Sequence, residues 1–76
     1  MMTYRVDLSV LAEDVLAKLP DDDQREVLET IAAALTQLEA WPAPGGWDAA
    51  VHFGARSWIT FAAYPDGIDV LSIGCC

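Results

Sequence analysis

In the stretch SWITFAAYPDGIDVLSI, residues 57–73, two runs of aromatic and β-branched side chains flank a Pro65-Asp66-Gly67 turn. Residues 57–64 form a strand of period two, with Trp58, Thr60, Ala62 and Tyr64 on one face and Ile59, Phe61 and Ala63 on the other. The turn chemistry suits a hairpin: Pro65 presets φ, Asp66 tolerates the bridge region and Gly67 accepts positive φ. Residues 68–73 then return as the last strand. Residues 49–53 make a short strand before the hairpin, beyond a loop (residues 41–48) whose prolines and glycines oppose helix and central strand alike.

Upstream, Tyr4, Val6 and Leu8 alternate with Arg5 and Asp7, the pattern of a half-buried strand over residues 4–8. Ser9 caps a predicted helix over residues 10–19, with Leu11, Val15, Leu16 and Leu19 on one stripe. Pro20 ends it. Asp21 and Gln24 have capping-box spacing, and the triplet Asp21, Asp22, Asp23 suits the positive end of a helix dipole. The second helix is predicted over residues 22–40, its apolar stripe being Val27, Leu28, Ile31, Leu35 and Leu38. The expected fold is α+β, in the order β-α-α-β-β-β, with a helical hairpin packed on one face of a small antiparallel sheet.

Seventy-six residues make one domain, residues 1–76. At this size the core is close to the lower limit for independent folding, so small scaffolds recruit disulfides, metals or partner subunits. Cys75 and Cys76 are adjacent, so a bridge between them closes almost no loop, and with the single His52 they give no zinc-ligand spacing. No metal or other cofactor is expected. A second copy or another chain is the expected source of added stability.

The formal charge is −8, from twelve Asp and Glu against four Lys and Arg, while 54% of the residues are hydrophobic. That hydrophobic share opposes disorder. The charge argues against direct nucleic-acid binding by the free chain, because phosphates must be neutralised by cations. Residues 1–40 hold nine acidic and three basic side chains, for −6, and residues 41–76 hold three and one, for −2. No apolar run is long enough to span a bilayer, and the first residues lack the basic-then-apolar order of a signal peptide. The expected setting is cytoplasmic, with no membrane partner.

Several segments, taken in order, carry a resemblance. They are YRVDLSVLAE (residues 4–13), Leu19-Pro20 followed by Arg25 and Ile31, VHFG (51–54), WITF (58–61), Asp66-Gly67 and VLSIG (70–74). Their order resembles the RelE/ParE toxin superfamily of bacterial toxin–antitoxin systems, and the likeness covers nearly the whole chain. It implies a toxin-like fold, a cognate antitoxin or other protein partner, and at most a ribosome-dependent endoribonuclease activity. In that family basic residues on the sheet and near the C-terminus stabilise the charge that develops on the scissile phosphate. Here His52 stands where an arginine is common in the family, and Cys75 and Cys76 replace the usual His-Arg after Gly74. The catalytic candidates that remain are His52, Arg56 and Tyr64.

Each candidate has an ordinary structural alternative. His52 is of the residue type best suited to general acid–base work, or it is simply an outward polar residue of a strand. Arg56 suits a phosphate, or a turn in which it pairs with Asp48 or Asp69. Trp41, Trp47 and Trp58 suit base stacking, but without flanking cations they suit a core or a protein interface better. The terminal cysteines have no basic neighbour to activate a thiolate, which leaves them an incidental role. Two functions follow: a toxin component acting through protein partners, with RNA cleavage degenerate, or a non-catalytic interaction or regulatory module on the same fold.

Overall fold

The computed structural model describes residues 4–45 and 48–75. Its elements are β1 (Arg5–Leu8), α1 (Val10–Lys18), α2 (Asp21–Leu35), a 3₁₀ turn (Leu38–Ala40), β2 (Ala50–Phe53), β3 (Ser57–Tyr64) and β4 (Gly67–Cys75). The order is the expected one, and both helices pack on one face of a four-stranded sheet arranged β1-β4-β3-β2. The sheet is mixed rather than antiparallel throughout. β1 runs parallel to β4, because the helical pair carries the chain across the sheet face before β2 begins, whereas β2, β3 and β4 are antiparallel neighbours. No helix among the described residues is long and apolar enough to cross a membrane.

The core lies between sheet and helices, with Ile59, Phe61, Ile68 and Val70 almost completely withdrawn from water. Each such side chain contributes about 1.5–3 kcal/mol. β4 keeps its apolar residues inward despite their spacing of 68, 70 and 73. Thr60 pairs with Ser72 but Phe61 pairs with Val70, so Leu71 is an extra residue in a β-bulge. The bulge returns Ile73 to the core face and leaves Leu71 and Ser72 on the open side.

Ser9 caps α1, its hydroxyl accepting from the Ala12 N–H (3.0 Å) and donating to the Leu71 carbonyl (2.8 Å). Of the stripe expected for α1, Val15, Leu16 and Leu19 pack against the core, and Leu11 departs from it. Ala12 is fully buried where α1 meets β4, and Leu11 is 61% exposed. α2 buries Val27, Thr30, Ile31 and Ala34, and Leu35 packs against the core, whereas Leu28 and Leu38 of the expected stripe remain exposed.

The expected capping box does not form. Pro20 occupies the N-cap of α2, and the Gln24 side-chain amide donates instead to the Leu16 carbonyl in the last turn of α1 (3.0 Å). The acidic triplet does lie in the first turn of α2. The helix stops at Leu35, short of residue 40, where the Trp41 indole N–H takes the Ala34 carbonyl (2.8 Å) and the Thr36 hydroxyl takes that of Ala33 (2.8 Å). Trp41 also meets Tyr4 and Phe61 edge-on, which closes the core at this end. Gly67 is needed for a reason other than positive φ: a Cβ there would overlap the Arg5 backbone on β1.

Candidate functional site

His52, Arg56 and Tyr64 do not form one site. His52 lies opposite the buried Ile59 in the β2–β3 register, which places it half-buried on the helix-facing side rather than outward. Arg56 lies in the turn between these strands. Its partners come from α2 rather than from Asp48 or Asp69: its guanidinium is 3.4 Å from the Asp23 carboxylate, and its backbone N–H donates to Glu26 (3.0 Å). Tyr64 is at the far end of β3, in the alternation that puts Trp58, Thr60 and Ala62 on the open face. Five residues of strand separate it from the row holding His52, about 16 Å at ~3.3 Å per residue, and the two lie on opposite faces.

Around Arg56 the chain builds a polar knot that local pattern did not disclose. Glu26 accepts from the Arg56 N–H and from the Ser57 hydroxyl (2.9 Å), while the Ser57 and Thr30 hydroxyls lie 2.6 Å apart in a buried contact. These donors favour the carboxylate and hold Glu26 below its ordinary pKa, the Arg56 backbone N–H having the largest effect and the Ser57 hydroxyl the next. Gly54 permits the approach, since a Cβ there would overlap the Thr30 hydroxyl. The knot therefore pins α2 to the β2–β3 turn. Beside it runs an open groove of about 420 Å³, bounded by Asp22, Asp23, Arg25, Glu26, Glu29 and Arg56. A second groove of about 190 Å³ continues from Glu26 and Glu29 to Thr30, Ala33, Gly54 and Ala55. Four carboxylates against two cations keep this surface acidic, the opposite of what phosphate binding requires.

The open face of the sheet has two halves. At the β1–β4 end, Arg5 hydrogen-bonds Asp69 (2.7 Å), Asp66 (2.9 Å) and Asp7, and its guanidinium sits 5.2 Å from the centre of the Tyr64 ring. The Asp69 and Asp66 hydrogen bonds raise the Arg5 pKa further above its already high ordinary value. Tyr64 thus belongs to a structural cation–π contact. At the β2 end the face is apolar, with Phe53 72% exposed, Val51 51% exposed, and Trp58 and Leu71 partly exposed.

Among the described residues, Trp41 and Trp58 make no shared stacking platform. Trp41 is packed against the core, Trp58 lies on the open face, and Trp47 is outside the described residues. Cys75 is half-buried at the end of β4, and Cys76 is outside the described residues. Among the described residues no three of His, Cys, Asp and Glu gather in a way that would hold a metal ion.

The alternation of Val51 and Phe53 around His52 is a local signal that could have pointed to the apolar edge. The Glu26–Ser57 pairing has no such signal, being 31 residues apart in sequence. Comparison with family models, with curated proteins and with solved structures gives no match for this chain.

Proposed function

We propose that this domain acts by binding protein, as the divergent, non-cleaving toxin component of a RelE/ParE-type toxin–antitoxin pair. One observation carries the loss of cleavage: Tyr64 lies about 16 Å along β3 from the row of His52, at ~3.3 Å per residue, and on the opposite face, held by Arg5, while Arg56 is engaged by α2 carboxylates. A ribonuclease of this type needs cations converging on one phosphate, and the groove nearest Arg56 is acidic. The element order and helix-on-sheet packing agree with the resemblance in residues 4–74. A non-catalytic regulatory module on the same fold is the second reading, favoured by the exposed apolar half of the open face.

Expression in a bacterial host, with growth and RNA 5′ ends followed together, tests the proposal. Arrest without new RNA ends is expected, unchanged in His52→Ala/Arg56→Ala. New cleavage sites that vanish in that double variant would restore the enzyme, and harmless expression would favour the regulatory module.

A further inference from the structure

The two edges of the sheet are defended unequally. β1 carries Arg5 and Asp7, tied into a charged cluster that discourages another strand. β2 at the other edge has the sequence Ala50-Val51-His52-Phe53, with no proline and no charged residue against pairing. Its two sides differ chemically. Toward the open face it presents Val51 and Phe53, alongside Trp58 on the next strand. Toward the helices it adjoins the groove between Gly54 and α2, where Glu26 and Glu29 stand. Because side chains of a strand alternate at period two, a strand added here would turn every second residue toward apolar surface and the others toward the helix side, where Glu26 and Glu29 stand at the Gly54 end of β2.

We infer that β2 is the docking edge for an extended segment of a partner protein in which apolar residues alternate with Lys or Arg. The inference rests on the protein-binding function proposed above and specifies its partner. Main-chain hydrogen bonds to the β2 edge supply affinity, while the alternation supplies specificity. Charge selects this occupant over a second copy of the chain: a molecule of net −8 repels itself and attracts a cationic segment. Glu26 is already occupied by Arg56 and Ser57, so the exposed Glu29 is the carboxylate left to meet the partner's cation.

The test uses the full chain, ¹⁵N-labelled, with three synthetic probes: the peptide KVKFKVK, its glutamate counterpart EVEFEVE, and the block isomer KKKKVFV. With KVKFKVK, the amides of residues 50–53 should shift and gain exchange protection, and the other two peptides should bind at least tenfold more weakly. Phe53→Lys should abolish binding, and Glu29→Lys should weaken it about tenfold with the spectrum of the free domain otherwise unchanged. Equal binding of the block isomer would overturn the inference in favour of unspecific charge attraction. Shifts confined to other strands would overturn it too, as would sedimentation showing a dimer of the chain alone that Phe53→Lys dissociates. Growth arrest in the host together with failed peptide binding would sink this surface but not the toxin proposal. Peptide binding without arrest would do the reverse.

Discussion

The indole of Trp58 lies across Gly74 on the neighbouring strand, occupying the space that a Cβ at residue 74 would need. The pair covers the end of the open face, with an aromatic ring shielding backbone that glycine leaves bare. Gly74→Ala should therefore push the indole toward solvent and cost about 1 kcal/mol, because the ring is at the surface and can swing aside. In a Trp58→Ala background the same change should be neutral or stabilising, since alanine suits a strand better than glycine. Denaturant unfolding of the four proteins in this double-mutant cycle checks the coupling, and a red shift of Trp58 emission in Gly74→Ala checks the displacement.

Gly67 and Gly54 face less yielding neighbours. Gly67→Ala meets the backbone of β1 and should cost about 3 kcal/mol, loosening the parallel β1–β4 pairing; Gly54→Ala meets the Thr30 side chain and should cost about 2 kcal/mol. The expected order of melting temperatures is Gly74→Ala, Gly54→Ala, Gly67→Ala, from highest to lowest. A Gly67→Ala protein as stable as the parent would contradict the close approach of β1.

Glu26 gives the fold an acid limit. Folding lowers its pKa from the ordinary 4.5. The unfolded chain therefore takes up the proton at higher pH than the folded one. The stabilisation from Glu26 is complete above about pH 4.5 and is lost as pH falls through the lower, folded value. Glu26→Gln should lower stability at neutral pH and flatten the acid limb below pH 4.5, as read from urea midpoints between pH 3 and 7. Thr30→Val, which removes a hydroxyl partner of both Ser57 and Glu26, should cost about 1–2 kcal/mol and make the acid limb slightly shallower.

Arg5 is one cation among three carboxylates. Arg5→Gln should leave Asp7, Asp66 and Asp69 repelling one another across β1, β4 and the hairpin turn. The melting temperature should fall at low salt and recover partly in 0.5 M NaCl, since the remaining repulsion between exposed groups is screened. Arg56→Gln loses a single, longer pair with Asp23 and should change the melting temperature little, because the Glu26 contact is made by the backbone N–H.

Local pattern was enough for the element order, for β3 at its observed bounds and for the inward set Ile59, Phe61 and Ala63. Those properties depend on neighbours within a few residues, where alternation, capping at Ser9 and the break at Pro20 act directly. The acidic bias of the helical half was legible for the same reason, since it is a sum over the chain. Contacts remote in sequence decided the rest. Whether Leu11 or Ala12 turns inward depends on how α1 meets β4, and Ile73 reaches the core only through the bulge at Leu71. The partners of Arg56, and the separation of His52 from Tyr64, follow from which strands become neighbours and in what register. A residue's chemical type is carried by its own letter, but its electrostatic surroundings are assembled from segments that only packing brings together.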